Sequence, residues 1–166
     1  MFIEIKVSGL TMDPITNTPI VILKDLEEKK AIPIWIGIFE ASAIATEIEK
    51  ISFSRPMTHD LLNEILKSLK VEVKRVEVHD LRKNTFFANL HLLFHGESII
   101  VDARPSDAIA IALRAGAPIF VENQVIEKSR NVDFGTKMTD LDRLKKEKLS
   151  EFLENLSPED FGKYKM

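Results

Sequence analysis

Three charged residues stand together where an apolar run gives way to a helical pattern. Asp102, Arg104 and Asp107 lie within one short segment, and Pro105 between them is a favoured first residue of a helix. Backbone N–H groups at a helix start attract anions, so Arg104 and this start could bind a phosphate. Carboxylate oxygens are ligands for Mg²⁺ and Mn²⁺. The segment therefore predicts metal-assisted chemistry on a phosphate ester, with Arg104 neutralising transition-state charge.

The same segment also has a structural explanation. Ser106 or Asp107 could cap the helix, while Arg104 and Asp102 form an ion pair. A comparison within the chain favours function over this alternative. The two halves resemble each other at an offset of 65 residues, and there the charged positions are matched by Gly37, Phe39 and Ser42. A set needed only for folding would be expected in both halves.

A second motif repeats the Arg-Pro step at a predicted helix start. Arg55 precedes Pro56, and His59 and Asp60 fall in the first turn. Histidine titrates near neutral pH, so His59 could act as a general base, with Asp60 orienting it or binding metal. The alternative is that His59 makes a structural hydrogen bond beside the helix cap. Glu40, in the first turn of an earlier predicted helix, supplies another carboxylate.

These observations predict three groups of site residues. The catalytic group is His59, Asp60, Arg104 and Asp107. The substrate-binding residues are Arg55 and Ser106. The metal ligands, for Mg or Mn, are Asp102, Asp107 and Glu40.

Composition limits the other possibilities. The chain has 166 residues, of which 45% are hydrophobic and 30% charged, so it can bury a core and is not a disordered chain. It has no cysteine, which excludes thiol catalysis, cysteine-ligated zinc and iron–sulfur clusters. Its net charge of −3 creates no general positive field, so nucleic-acid binding would need a local patch.

One stretch offers such a patch. Residues 67–95 carry six basic and three acidic side chains, and Phe86 and Phe87 could stack on bases. The alternative is a solvated sheet edge rich in lysine. The histidines of this region are predicted to be surface residues: His79, His91 and His95.

The pattern of apolar residues predicts an α+β fold. Strands are expected at residues 2–8, 19–25, 30–37, 72–80, 85–94, 98–103 and 117–122. Helices are expected at residues 40–51, 58–69 and 105–114, with a loop at 123–137. The order suggests duplicated β-β-β-α units, about 2–52 and 71–122, forming a mixed or antiparallel sheet with packed helices. Residues 1–135 would form one domain, and 136–166 a C-terminal helical extension.

The start of the chain alternates apolar and charged residues and lacks the pattern of a signal peptide. The longest apolar stretch, residues 31–39, is too short for a membrane helix. A cytoplasmic protein without membrane contact is therefore expected. Its single Gln, lack of Cys and many Lys and Glu residues favour a heat-adapted source.

Three motifs in this order resemble the bifunctional nuclease domain family. They are IPIWIG at 32–37 followed by Glu40 and Ala41, RPMTHDLL at 55–62, and DARPSDAIA at 102–110. The resemblance spans roughly residues 2–130 and implies nuclease activity on DNA and RNA, a fold with duplicated halves, and a homo-oligomer, most simply a dimer. Two alternatives stay open: a non-catalytic module that binds an anion or a partner, and a structural oligomer in which both Arg55 and Arg104 are buried and paired.

Overall fold

The computed structural model describes residues 1–130 of the chain. Its strands are β1 Phe2–Met12, β2 Pro19–Asp25, β3 Ala31–Trp35, β4 Glu72–Arg82, β5 Thr85–Phe94, β6 Glu97–Ala103 and β7 Ile119–Glu122. Its helices are α1 Ile38–Ile48, α2 Thr58–Ser68, α3 Pro105–Ala115 and α4 Asn123–Arg130. None of these four helices is long and apolar enough to cross a bilayer.

All seven described strands form one sheet in the order β3-β2-β1-β7-β4-β5-β6. Strands β1 to β3 form one antiparallel meander, and strands β4 to β6 form another. The short strand β7 joins them, antiparallel to β1 and parallel to β4. The predicted α+β fold with a mixed sheet is confirmed. Each meander is followed by a helix, as the predicted duplication requires, but the duplication itself stays a prediction.

The core is built where α1 and α3 pack together above the sheet. Small buried residues on both helices, such as Ala45 and Ala108, allow the two helices to approach closely. Ile44 and Ile109 are completely buried between the layers. Burying an isoleucine side chain contributes about 1.5–3 kcal/mol, so a few such residues hold the helices in place. Helix α2 packs on α3, and α3 in turn packs on α1. These contacts fix the position of the start of α2 relative to the starts of α1 and α3.

The loop predicted at residues 123–137 is wrong in its first part, because Asn123–Arg130 forms α4. Val125 and Ile126 are buried, and the helix packs against β3, β4 and β7. Three strands separate β3 from β4 in the sheet, so this part of the sheet curves to reach the same helix. Burial of two adjacent residues stabilises α4, and two residues are too few to produce a clear helical period. The predicted helix after residue 138 and the boundary at 135 lie outside the described residues.

Candidate functional site

The candidate site lies where the first turns of three helices meet. Helix α1 begins after Gly37, α2 after Met57 and α3 after Arg104, and all three preceding residues have extended backbones. Because only one residue separates β6 from α3, Arg104 is held at a strand-to-helix corner. The sequence predicted these helix starts separately, and the fold brings them together.

Arg104 links α3 to α1. Its Nε atom donates to Asp107 Oδ2 at 2.8 Å, and its Nη2 atom lies 2.7 Å from Glu40 Oε1. The hydrogen bond to Asp107, followed by the negative charges of Asp107 and Glu40, raises the pKa of Arg104 above its ordinary value. The side chain is nevertheless 69% exposed, so its outer face is open to a ligand. Neither Ser106 nor Asp107 caps α3, and the predicted pair of Arg104 with Asp102 is replaced by these contacts.

His59 links α2 to the same carboxylate. Its Nε2 atom lies 2.9 Å from Asp107 Oδ1, and its side chain is mostly buried. An ionised carboxylate can only accept hydrogen bonds, so the Nε2 atom carries the proton in this pair. In neutral His59 the Nδ1 atom is then left as an acceptor. Asp107 thus orients His59 with one oxygen and Arg104 with the other.

Gly37 leaves room for the Glu40 carboxylate to contact Arg104. The Glu40 carboxylate folds back over the start of α1, and a Cβ atom at position 37 would collide with Glu40 Oε2. An alanine at this position would therefore displace the carboxylate from its place beside Arg104. This explains in physical terms why the predicted motif ends in glycine.

Asp60 faces a different partner. It accepts a hydrogen bond from Arg114 Nε at 2.6 Å and another from the Met57 backbone N–H at 3.1 Å. Partial burial alone would raise the pKa of Asp60, but the hydrogen bonds from Arg114 and Met57 and the charge of Arg114 outweigh it, so the pKa is lowered. Arg114 is only 5% exposed and also donates to the carbonyl oxygens of Ala43 and Ala110. Arg114 thus ties the three helices together, through the ion pair to α2 and the hydrogen bond to α1.

A cavity of about 880 Å³ opens beside the cluster formed by Glu40, His59, Arg104 and Asp107. All four residues contribute to its wall. The remaining wall is largely apolar, with contributions from Phe39, Phe53, Met57, Leu62, Leu90, Val101 and Ile111. Its volume is within the range of small-ligand sites, and its combination of apolar walls with a few converging polar groups is typical of them.

The sequence of the chain matches the model of a known family, described as the bifunctional nuclease domain, over residues 21–133. The chain belongs to this family. All the cluster residues lie inside the matched segment. The match confirms the resemblance that the three motifs indicated.

Among relatives of this bifunctional nuclease domain, an uncharacterized protein of Mycobacterium tuberculosis is 37% identical over 164 residues, covering 95% of this chain and 97% of the relative. The protein named bifunctional nuclease 2 of rice, Oryza sativa subsp. japonica, is 31% identical over 97 residues, or 57% of this chain and 30% of the rice protein. Bifunctional nuclease 1 of Arabidopsis thaliana is 30% identical over 108 residues, or 62% of this chain and 33% of that protein.

In this bifunctional nuclease domain the predicted site residues divide into two groups. Glu40, His59, Arg104 and Asp107 come together as described. The others lie apart: Asp60 binds Arg114, Arg55 is exposed outside the cavity wall, and Ser106 is buried and does not border the cavity. The structural alternative predicted that both Arg55 and Arg104 would be buried, and in the single chain both are exposed.

Asp102 also lies apart, because of strand alternation. Asp102 pairs with Asn89 across β5 and β6, whereas Val101 pairs with the core residue Leu90. Successive side chains of a strand point to opposite faces, so Asp102 borders the cavity but its side chain lies on the far face of the sheet.

The predicted metal ligands are therefore not gathered into one site in this arrangement. Glu40 and Asp107 both contact Arg104, whose guanidinium lies where a cation between them would lie. Among residues 1–130, no three His, Asp or Glu side chains are placed so that they could hold a metal ion. As long as Arg104 holds both carboxylates, Glu40 and Asp107 do not fit a bound metal, and metal dependence stays a prediction.

Sequence reasoning missed Arg114 and the aromatic wall. Asp107, Ile111 and Arg114 lie on one face of α3 at spacings of four and three residues, and all three border the cavity. This spacing was the available signal for Arg114. Sequence reasoning also placed His91 on the surface, which is wrong: His91 is 14% exposed, and its Nε2 atom lies 2.8 Å from Glu77 Oε2. The neighbouring strands β4 and β5 bring Glu77 and His91 together, and both side chains are largely buried in this contact.

Proposed function

We propose that this chain is a nuclease that hydrolyses phosphodiester bonds of DNA or RNA at the cluster of Glu40, His59, Arg104 and Asp107. One observation carries the proposal: His59 and Arg104 share Asp107 at the wall of an open cavity. Membership of the bifunctional nuclease domain family and the names of the plant relatives agree with it. Each residue of the cluster then has a separate task.

Arg104 binds the phosphate. Its Nε and Nη2 atoms contact the carboxylates of Asp107 and Glu40, and the Nη1 amino group has N–H groups for phosphate oxygens. Glu40 and Asp107 keep the side chain in one orientation although it is largely exposed. A held arginine is ready to stabilise the extra negative charge of a five-coordinate phosphorus, without reorganisation during the reaction.

His59 moves the proton. With Asp107 holding the Nε2–H group, the Nδ1 atom of neutral His59 takes a proton from the attacking water. The positive charge that develops on the imidazole is stabilised by the Asp107 carboxylate. The imidazolium then returns a proton to the leaving oxygen, which restores the neutral ring.

The apolar part of the cavity receives a base. Phe39 is exposed beside Glu40, and the wall continues through Phe53 and Met57. A phosphate would be poorly solvated among these side chains, whereas an unstacked base would pack well against aromatic rings. Because bases inside a duplex are already stacked, this arrangement favours single-stranded substrate.

The decisive experiment compares Asp107→Asn with a matched variant elsewhere. Purified chain is incubated with single-stranded DNA, duplex DNA and RNA, in Mg²⁺, in Mn²⁺ and in chelator. Loss of one positioned acid–base partner typically lowers the rate by about 10²–10⁴-fold, which is the expected effect of Asp107→Asn. The control is His91→Gln, which disrupts the other histidine–carboxylate pair, away from the cavity, and should retain activity.

The outcomes separate the candidate functions. Cleavage that survives chelator and is lost in Asp107→Asn supports the mechanism above. Cleavage lost with chelator supports the predicted divalent ion and requires Glu40 and Asp107 to release Arg104. Equal cleavage by both variants, or no cleavage at all, contradicts the proposal. If no variant cleaves but oligonucleotides still bind the wild type and bind Arg104→Leu more weakly, the chain is the non-catalytic anion-binding module.

A further inference from the structure

The last strand of the second meander is an unprotected edge. Strand β6 ends the sheet order and pairs with β5 on one side, and no other described strand covers its outer side. Its central residues are apolar and exposed: Ile99 by 39%, Ile100 by 60% and Val101 by 40%. The pairing with β5 is continuous over seven residue pairs, without a bulge. Unpaired backbone groups beside apolar side chains form a template for another strand.

The opposite edge of the sheet is different. Strand β3 carries Pro33 at its centre, and Ile32 and Ile34 beside it are buried. Proline has no backbone N–H to donate, so this edge is protected against pairing. Strand β6 contains neither Pro nor Lys, the two residues that most often protect an edge. Within residues 1–130 the sheet therefore has one protected edge and one open edge.

The sequence of β6 is complementary to itself. If two copies pair antiparallel with the two-fold axis at Ile100, Ile99 of each copy lies opposite Val101 of the other. Ser98 then lies opposite Asp102, and Glu97 opposite Ala103, so no like charges meet. Parallel pairing in register would place each acid opposite its own copy, which is unfavourable. Antiparallel pairing about a two-fold axis also closes the assembly at two chains.

Helix α2 extends the apolar surface. Leu61, Leu62 and Ile65 are exposed. Leu62 and Val101 border the same cavity, so the helix lies beside the open edge. A second copy paired with β6 would therefore also cover part of the apolar surface of α2.

We propose that the chain forms a two-fold dimer by antiparallel pairing of its β6 strands about Ile100, which doubles the sheet and leaves a protected β3 at each end. The two strands exchange backbone hydrogen bonds, and the three apolar residues of each copy cover those of the other. The proposal does not depend on nuclease activity. It also connects to the candidate site, because Val101 and Ala103 of the pairing strand form part of the cavity wall.

The first test is sedimentation of the full chain over a dilution series. The wild type is expected at twice the chain mass of 18.9 kDa. Ile100→Lys should weaken the dimer roughly a thousandfold, since a central interface residue accounts for about thirtyfold and occurs twice. Ile15→Lys is the matched control: Ile15 is 78% exposed in the turn between β1 and β2, and its replacement should leave the dimer unchanged.

The second test does not depend on the fold of a lysine variant. Since the chain has no cysteine, Ile100→Cys introduces a single thiol per copy. Facing side chains of an antiparallel pair are close enough for a disulfide or a short bismaleimide to join them. Rapid cross-linking of Ile100→Cys, and not of Ile15→Cys, is expected. A monomeric wild type, an unchanged Ile100→Lys dimer, or equal cross-linking of both cysteine variants overturns the proposal and assigns the edge to another occupant, such as residues 131–166.

Discussion

The buried arginine at the end of α3 offers a direct test of how the three helices are held. Arg114→Leu removes the ion pair with Asp60 and the hydrogen bonds to the carbonyl oxygens of Ala43 and Ala110. Leucine keeps an apolar stem in the same place, so the main change is the loss of the charged group. The variant should fold and lose stability.

The size of the loss follows from burial. Breaking a buried ion pair typically costs about 3–5 kcal/mol, because the remaining charge is left without its partner. Asp60 is 34% exposed and keeps the Met57 N–H group, so water compensates part of this cost. We therefore expect a loss at the lower end, about 3 kcal/mol. For a chain of this length it corresponds to a fall in Tm of about 6–12 °C.

Arg104→Leu is the matched control. It makes the same replacement and also removes contacts with two carboxylates, but Arg104 is 69% exposed. Exposed ion pairs contribute about 0–1 kcal/mol, so this variant should unfold within a few degrees of the wild type. Arg104 contacts more acidic side chains than Arg114 does, but it should contribute less to stability because it is exposed.

The assay is urea and thermal unfolding of the full chain by circular dichroism, at one protein concentration because an oligomer would make both midpoints depend on it. The double variant Asp60→Asn/Arg114→Leu should recover part of the stability, since it no longer carries an unpaired acid. A loss below about 1 kcal/mol for Arg114→Leu would refute the reasoning. So would an equal loss for Arg104→Leu, because burial would then not decide the effect.

Three further outcomes are expected. The pKa of Asp60 is lowered, so its ion pair stabilises the fold at pH values above the ordinary pKa of about 3.9, and this stability is lost as the pH falls through the lower pKa of the folded state. The free energies of unfolding of wild type and Asp60→Asn should therefore converge in acid. A difference that stays constant with pH contradicts this. Thr11 has a buried hydroxyl without a hydrogen-bond partner within residues 1–130, so Thr11→Val should raise the free energy of unfolding by about 1 kcal/mol, whereas a loss of stability would show that the hydroxyl is satisfied. Gly37→Ala should displace Glu40 and lower cleavage, with Tm nearly unchanged; normal cleavage would remove Glu40 from the site.

Local signals predicted most of the elements. Alternating residues between clear turns indicated the hairpins, and the turn at His95 and Gly96 joins β5 and β6 as expected. Helix α4 was missed because its stability comes from packing Val125 and Ile126 on distant strands. No pattern within eight residues carries that information.

The site was predictable in its parts, less so in its assembly. Each helix start was visible, but their meeting depends on how α1, α2 and α3 pack. Asp60 was predicted to be catalytic from its place beside His59 in the first turn of a helix. Its partner Arg114 is 54 residues away in the sequence, so no local pattern reveals the pair. Asp102 could have been placed correctly: strand alternation with Val101 and Ala103 on the apolar side puts it on the opposite face.

The position of β7 affects how the protein is made. This four-residue strand lies at the centre of the sheet, although it is the last of the described strands along the chain. On the ribosome, β1 emerges first, yet its neighbour Ile119–Glu122 follows more than a hundred residues later. The first meander must therefore wait with one long edge open while the second is synthesised. A nascent chain stopped before Ile119 would display the inner edges of both meanders.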